Sequence, residues 1–242
     1  MMASVTRALD LSARLDTAPT AEAVGRLLLA AIAPYGARSI FSASFKVPPY
    51  KKVEDFAADR HLFAQQSPRG WVEAYYQRGL HTRNPVVFAS ARRTTAFRWS
   101  DPGFDDLKNW PGFDLARDLG IQDGLTIPFH TPGNRVDVVS LGFERFDLSR
   151  QETLTIALAS AVAHERMVEL SPFIPAPGKP TLTPRERDCL AFVAEGLSDA
   201  DIGGKLGISQ TTAHAHVESA KRKLGAKTRA QAVARLYSLG LF

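Results

Sequence analysis

Residues 197–229, LSDADIGGKLGISQTTAHAHVESAKRKLGAKTR, decide the fold of the C-terminal part of the chain. Two short helical patterns flank a tight turn in this stretch. The first begins at Ser198, a residue type favoured at helix N-caps, and ends at Gly207; the second begins at Ser209 and ends at Gly225. Two helices joined by a short turn that contains glycine form a helix-turn-helix.

One more helix on each side completes this pattern over residues 181–242. The upstream segment LTPRERDCLAFVAEG has Thr183 as N-cap and Glu186 at the position that closes a capping box. The downstream segment TRAQAVARLYSLG has Thr228 and Gln231 in the same relation. We therefore predict an all-α domain of four short helices.

The second helix of the helix-turn-helix has two different faces. Apolar residues recur on one face, from Ala213 through Val217 to Leu224, and predict packing against the first helix. The opposite face begins with small residues and ends with basic ones, which can neutralise phosphates, and a helix fits the major groove of DNA. The residues predicted to contact DNA are Thr211, Thr212, His214, Ala215, Glu218, Lys221, Arg222, Lys227 and Arg229.

Helical spacing and charge alone leave a second interpretation open, a four-helix interaction domain whose charged face is only solvated. The sequence itself, however, closely resembles the LuxR-type DNA-binding domain that FixJ- and NarL-type regulators share. LTPRE, the glycine after AE, LGIS and KLGAKTRAQAV carry the resemblance over residues 181–242. It implies DNA binding, with His214, Ala215 and Glu218 at the base-contacting positions and a last helix that dimerises. Glu218 would accept from cytosine N4, and His214 would donate to guanine.

Composition limits the class of protein and its partners. The chain of 242 residues has a net charge of +5, and residues 181–242 hold nine Lys and Arg against six Asp and Glu, which permits an anionic partner. No apolar run approaches the roughly 18–20 residues of a transmembrane helix, and Cys189 is the single cysteine, which excludes an internal disulfide. We therefore expect a cytoplasmic protein without a membrane partner.

A proline-rich segment, SPFIPAPGKP at residues 171–180, divides the chain. Four prolines in ten residues favour a semi-stiff linker, although a long loop inside one domain is the alternative. The predicted parts are therefore residues 1–170, the linker, and residues 181–242.

Residues 1–170 mix helical and strand patterns. AEAVGRLLLAAIA has one apolar helical face, and RQETLTIALASAVAHERMVEL predicts a long amphipathic helix with Leu154, Leu158, Ala161 and Val162 repeating along it. SIFSASFKV, LTIPFHT and VDVVSLGFERF are typical of strands, and Pro128 indicates an edge strand or a bulge. We predict an α+β fold, an N-terminal α/β/α sandwich with a central antiparallel sheet followed by the four-helix domain.

The stretch WVEAYYQRGLHTRNPVVFASARRTTAFRWSD, residues 71–101, has the clearest functional pattern in the N-terminal part of the chain. Trp71 and Tyr75 share a helix face, Asn84 and a proline follow, and Trp99 ends the pattern. Any one of these residues alone is more simply part of a core. Together they resemble the acyl-homoserine-lactone-binding domain of LuxR-type quorum-sensing receptors. The βα alternation of a receiver domain and the GxxxxGK[ST] loop of an ATP-dependent regulator are both missing from the sequence.

The resemblance implies roles for individual residues. Trp71 would donate to a lactone ring carbonyl, Tyr75 would donate to an acyl carbonyl, and Trp99 would pack its face on the lactone ring. Further ligand-binding positions are Trp110, Phe113, Gly124, Phe129 and Ser140. The resemblance therefore predicts a small-molecule effector, an autoinducer, and no cofactor.

Asn84 departs from the family pattern, which usually has aspartate here. A carboxylate accepts a ligand amide N–H through a charge-assisted bond, whereas the bond to an amide oxygen is weaker. Three consequences stay open: altered lactone specificity or affinity, recognition of another small amide or ketone, or loss of ligand dependence.

The function predicted from the sequence is a ligand-responsive transcriptional regulator that binds a palindromic promoter site as a homodimer. The alternative is a ligand-independent regulator, or an antagonist that forms mixed dimers with a related receptor. An enzyme is not expected, because His81, Asp101 and His130 form no recognisable catalytic constellation.

Overall fold

The computed structural model describes residues 11–47, 60–101, 110–131, 135–172 and 181–239. These residues form two compact units, one before and one after the predicted linker, and each is described by itself. Residues 173–180 of that linker lie outside the described residues.

The N-terminal unit combines helices with one five-stranded sheet. After helical residues 11–16, its α-helices are α1 (Ala21–Ile32), α2 (Trp71–Gln77), α3 (Pro85–Ser90), α4 (Pro111–Asp118) and α5 (Arg150–Leu170), with 3₁₀ turns at Ala33–Tyr35 and Leu80–Arg83. Its strands are β1 (Ala37–Lys46), β2 (Arg60–Gln66), β3 (Phe97–Arg98), β4 (Asp123–Thr131) and β5 (Arg135–Phe143). The strand order is β2-β1-β5-β4-β3, and every neighbouring pair is antiparallel. The predicted α+β class with a central antiparallel sheet is confirmed.

The two faces of the sheet bury different sets of side chains. Helices α1 and α5 cover one face, where Leu125, Val139 and Leu141 belong to the largest hydrophobic core. Helices α2, α3 and α4 lie on the other face, and Val138 and Ser140 of β5 point towards them. Every residue of β5 is buried, because this central strand is covered on both sides.

Pro128 lies in β4 without a bulge. It pairs with Val138 of β5, and the register between the two strands is continuous. Strand β3 pairs only with Leu125 and Thr126, so β4 has no described neighbour on its other side at Pro128. The strand can therefore tolerate the missing N–H donor at this position.

The long helix α5 begins at Arg150 and ends at Leu170, as the sequence predicts, and a capping box of Ser149 and Glu152 starts it. Its apolar repeat, however, is the exposed face. Leu154 is 61% exposed and Leu158 59%, whereas the buried face is formed by Ile156, Ser160, Ala163, His164 and Met167. Packing against the sheet selects a face with smaller and more polar side chains, and leaves the leucines in solvent.

The C-terminal unit consists of α6 (Pro184–Ala194), α7 (Asp199–Leu206), α8 (Gln210–Lys223) and α9 (Arg229–Ser238), which confirms the four predicted helices. The capping box of Thr183 and Glu186 is present. At the start of α9, Gln231 instead accepts from the backbone N–H of Lys227, so the predicted reciprocal box with Thr228 is only half formed. Leu190, Ile202, Val217, Ala232 and Leu236 belong to one buried core.

Candidate ligand cavity and nucleic-acid interface

A cavity lies between the sheet and helices α2, α3 and α4. Its empty volume is about 1130 Å³, including the part that opens to solvent. Sheet residues such as Phe41 and Val138 form one wall, and the opposite wall is aromatic. The predicted ligand-binding residues that line it are Trp71, Tyr75, Asn84, Trp99, Trp110, Phe113 and Ser140.

The aromatic wall is a continuous chain of ring contacts. Trp71 stacks on Tyr75 with centroids 5.7 Å apart, because both project from the same face of α2. Tyr75 meets the edge of Trp110 at 6.2 Å, and Trp110 meets Phe113 at 5.3 Å. Phe113 then contacts Trp99 at 5.7 Å. Residues that are far apart in sequence thus form one apolar surface suited to an acyl or lactone group.

Trp99 is fixed in place by the sheet behind it. Its indole N–H donates to Thr126 Oγ1 at 3.0 Å, and that hydroxyl bonds to Ser140 Oγ at 2.8 Å. Gly124 lies directly under the ring, since a Cβ there would come within 2.1 Å of Trp99. Gly124 therefore supports the wall from behind and does not line the cavity.

Tyr75 and Asn84 form the polar centre of the cavity. Asn84 Nδ2 donates to Tyr75 Oη at 2.9 Å, while Asn84 Oδ1 accepts from the backbone N–H of Val86 at 2.9 Å and so caps α3. Burial raises the pKa of Tyr75 to about 12, against the smaller lowering effect of the Asn84 hydrogen bond. The phenol therefore keeps its proton near neutral pH and remains a hydrogen-bond donor.

Two buried polar atoms around the cavity have no hydrogen-bond partner among the described residues: Trp110 Nε1 and His81 Nδ1. An unpaired buried polar group costs about 1–3 kcal/mol. The N–H of Trp110 is held in position because Gly112 has no side chain; a Cβ there would come within 2.3 Å of the indole. A bound molecule with an acceptor for Trp110 would remove one of these costs.

The prediction that Phe129 forms a wall of the cavity is wrong. Phe129 shares the face of β4 that carries Leu125 and Ile127, so it points into the large core on the other side of the sheet. There it packs against the large core and stacks on His164 with centroids 4.2 Å apart.

Apart from Ser140, sequence reasoning missed the part of the cavity that the sheet supplies. Phe41 and Phe45 of β1 and Val138 of β5 line it, together with His81 and Val87. The alternation of β1 offered a signal, because Phe41, Ala43 and Phe45 share one face, but the sequence does not say which face meets the cavity.

The candidate acid–base groups remain apart. His81 is in the cavity, Asp101 accepts from the backbone N–H of Arg98, and His130 is exposed and bonds to the carbonyl of Arg93. These contacts are structural and form no catalytic arrangement.

In the C-terminal unit, the turn between α7 and α8 is held by close backbone contact. Gly207 adopts φ 66°, a left-handed conformation that favours glycine. Gly203 of α7 faces the turn, and a Cβ there would come within 2.8 Å of the carbonyl oxygen of Ile208. Ala213 and Val217 of α8 are then buried against Ile202.

The outward face of α8 carries the residues predicted to contact DNA. Thr211, His214, Ala215, Arg222 and, beyond the helix, Lys227 are exposed. The hydroxyl of Thr212 is occupied by the N-cap, because it bonds to Ser209 Oγ at 2.8 Å.

Polar contacts hold several of these side chains in position. Asp199 at the start of α7 bonds both to His214 Nδ1 at 2.8 Å and to Arg229 Nη2 at 2.8 Å. Glu218 accepts from Lys221 Nζ at 2.6 Å, within the same helix. His214 and Arg229 thus share one carboxylate, which fixes the orientation of the imidazole and leaves its other nitrogen for a further contact.

Glu186 links α6, the first helix of the C-terminal unit, to α8. It is 3% exposed and accepts from Ser219 and from Lys223 Nζ at 2.7 Å and 2.8 Å, in addition to closing the capping box. Burial alone would raise the pKa of Glu186, but the bonds from Lys223, the Thr183 backbone and Ser219 outweigh it and lower the pKa to about 2. The carboxylate is therefore a structural anchor for α8.

Comparison with known protein families accounts for both units. Residues 20–167 match the family described as the autoinducer binding domain, and residues 180–236 match the bacterial regulatory proteins of the luxR family. The chain belongs to the LuxR family of transcriptional regulators. As a member of this family it is a DNA-binding regulator with an autoinducer-binding domain and not an enzyme.

Curated relatives support this assignment. The transcriptional activator protein BjaR1 of Bradyrhizobium diazoefficiens is 31% identical over 176 residues, which cover 72% of each chain. The regulator RpaR of Rhodopseudomonas palustris is 32% identical over 177 residues, with the same coverage. The putative regulator y4qH of Sinorhizobium fredii is 32% identical, and its match spans 55% of that protein's length.

Solved structures show the same fold. SdiA in complex with octanoyl-rac-glycerol has a TM-score of 0.67 and 19% identity, covering 98% of this chain and 96% of that one. CepR2 of Burkholderia cenocepacia has a TM-score of 0.55 and 22% identity, covering 72% of this chain and 100% of that one. Within the described residues, no helix is long and apolar enough to cross a membrane.

Proposed function

We propose that this LuxR-family regulator senses an acyl-homoserine lactone or a similar small acyl compound and binds a palindromic promoter site as a dimer. The observation that carries the proposal is the cavity with its wall of aromatic rings, at which the Asn84 amide bonds to the Tyr75 hydroxyl. An acyl compound combines an apolar chain with carbonyl acceptors, which is the complement of such a wall.

The ligand would lie between the sheet and the aromatic wall. Trp99 would pack its face against the ring or headgroup, since its N–H is already bonded to Thr126. Trp71 and Tyr75 would donate to carbonyl oxygens. The SdiA complex contains octanoyl-rac-glycerol, so at least one protein of this fold accepts an acyl ester.

Helix α5 would form the dimer contact of the N-terminal unit. Leu154, Leu158 and Val162 make an exposed apolar stripe along it. Solvated leucines at i and i+4 are typical of a helix that packs on a partner. A dimer presents two copies of α8, which suits a site with two half-sites.

The DNA contacts would divide into two kinds. Thr211, His214, Ala215 and Glu218 lie where side chains of α8 could reach base edges. Arg222, Lys221, Lys227 and Arg229 would neutralise phosphates. Because promoter DNA lies in the bacterial cytoplasm, the proposal places the protein there.

The experiment is thermal unfolding of the full chain with a panel of N-acyl homoserine lactones and acylglycerols, read together with DNA binding. A ligand at about 100 times its Kd stabilises the folded state by about 2.7 kcal/mol. Tyr75→Phe, which removes one donor from the cavity, should weaken the response. Phe129→Leu on the opposite face of the sheet should leave it intact.

Mass spectrometry of small molecules extracted from protein purified out of its native cytoplasm completes the test. A copurified acyl compound supports the proposal. DNA binding without any copurified compound or thermal response would instead support the ligand-independent alternative.

A further inference from the structure

Asn84 is the cavity residue whose hydrogen-bonding direction the structure fixes. The backbone N–H of Val86 points at one side-chain atom of Asn84 from 2.9 Å, so that atom has to be the oxygen. The amide nitrogen then faces Tyr75 Oη at 2.9 Å. The reverse orientation would set an NH₂ group against an N–H donor and lose the cap of α3.

This direction determines what Tyr75 can do. Because Asn84 donates to the phenol oxygen, the phenol proton points away from Asn84 and is available to a ligand. An aspartate at this position has no proton to donate near neutral pH, so a phenol oxygen at the same distance would have to give its own proton to the carboxylate. Asn84 thus reverses the direction of this hydrogen bond.

The remaining polar hydrogens of the cavity add to the same pattern. Asn84 has a second amide hydrogen besides the one bonded to Tyr75. Trp110 Nε1 is a buried donor without a partner in the part of the chain that the structure describes. Among the described cavity residues, His81 Nδ1 is also buried without a partner. The phenol hydrogen of Tyr75 and the second amide hydrogen of Asn84 are therefore the donors that this centre offers to a ligand.

We infer that Asn84 makes this regulator selective for acyl compounds with an oxygen acceptor, such as an ester or a ketone, facing Asn84. An acyl-homoserine lactone would place its amide N–H at that position. The inference rests on the proposed function, because it requires an acyl ligand in this cavity. An amide N–H placed beside the Asn84 NH₂ group would meet a donor and would lose its partner. An ester oxygen or a ketone carbonyl at the same place meets no opposing hydrogen, and a carbonyl would accept a bond.

A pair of ligands that differ in one group tests the inference. The first is an N-acyl homoserine lactone, and the second is the ester in which oxygen replaces the amide N–H, with the same lactone ring and acyl chain. Calorimetric titration of the full chain with both compounds, over a set of short to long acyl chains, gives the ratio of their Kd values. We expect wild type to bind the ester roughly tenfold more tightly than the amide.

Asn84→Asp should shift that ratio towards the amide by tenfold or more, because a carboxylate accepts the amide N–H. Aspartate is also a good N-cap, so the bond from Val86 and helix α3 should survive. Gln151→Glu, the same amide-to-acid change on the exposed surface of α5, is the matched control and should leave the ratio unchanged. Because His81 is the same in wild type and in Asn84→Asp, a change in the ratio of the two Kd values is due to position 84 and not to His81.

Two results would overturn the inference while leaving the proposed function intact: a wild type that binds the amide tenfold more tightly, or a ratio that Asn84→Asp does not change. If the folded protein bound neither compound at any chain length and no acylglycerol either, the proposed function itself would fall, and the inference with it.

Discussion

Adding one methyl group at Gly124 tests how strongly the cavity wall depends on contact between Trp99 and β4. A Cβ at this position would lie 2.1–2.5 Å from three atoms of the indole ring, whereas carbon atoms in contact are about 3.5–4.0 Å apart. The ring of Trp99 in Gly124→Ala must therefore move by about 1 Å or more. That movement breaks the 3.0 Å bond from Trp99 Nε1 to Thr126 Oγ1.

The expected cost is the sum of two effects. Forcing an extra carbon into a packed site costs about 1–3 kcal/mol, and the lost hydrogen bond costs about 1 kcal/mol. We expect Gly124→Ala to reduce the free energy of unfolding of the N-terminal unit by about 2–4 kcal/mol and to weaken ligand binding, since Trp99 and Phe113 shift together.

The assay is urea unfolding of the full chain followed by tryptophan fluorescence, with near-ultraviolet circular dichroism to detect the changed ring environment. Gly204→Ala is the control, because a Cβ at Gly204 meets nothing within 4 Å and alanine favours the helix by roughly 1 kcal/mol. A loss below about 0.5 kcal/mol in Gly124→Ala, with an unchanged dichroism spectrum, would refute the reasoning.

Three further perturbations address the other parts of the molecule. The pKa of Glu186 is about 2 in the folded chain against an ordinary value of 4.5, so its stabilising effect is complete above pH 4.5 and is lost as the pH falls towards 2. Acid titration of unfolding should therefore show a steeper loss of stability in wild type than in Glu186→Gln, which keeps the other carboxylates with lowered pKa values. His214→Ala should reduce discrimination at one base pair by about 1–3 kcal/mol, as measured by binding-site selection. Arg222→Ala should weaken binding to all DNA sequences alike and flatten the slope of log Kd against log salt by about 0.9, as measured by salt titration. If Arg222→Ala changed the preferred sequence and His214→Ala changed only the salt slope, the recognition face would be wrongly assigned. Leu158→Glu on the exposed stripe of α5 should yield monomers in sedimentation while unfolding stays within about 0.5 kcal/mol, and a dimer that persists would place the interface elsewhere.

Local signals in the sequence were sufficient for the C-terminal unit. Ser198, Thr183 and Ser209 cap helices by accepting bonds from the backbone N–H three residues ahead. Both partners of each bond therefore lie within four consecutive residues of the sequence. The positions of α7 and α8 follow from these caps and from the glycine that ends α7. Gln231 is an exception to these local predictions. Its side chain accepts from the backbone N–H of Lys227 and not from that of Thr228, which a capping box requires.

The aromatic cavity was partly predictable for a different reason. Trp71 and Tyr75 lie one helical turn apart, so their stacking is a local consequence of α2. Their contact with Trp110, and the contact of Phe113 with Trp99, depend on how α2 and α4 pack over the sheet. The resemblance to the autoinducer-binding family supplied those residues, and spacing alone would not have done so.

The sequence by itself determined strands β1, β4 and β5, helices α1 and α5, and the four capped helices that form the helix-turn-helix domain, because each of these outcomes depends on groups within a few residues of one another. The tertiary structure alone decided which face of β4 and which face of α5 is buried. Phe129 faces the core, and Leu154 faces solvent, because strand register and helix packing are set by residues far away in the chain. The direction of the hydrogen bond between Asn84 and Tyr75 was decided in the same way, by a backbone N–H that only the folded chain brings to the side chain.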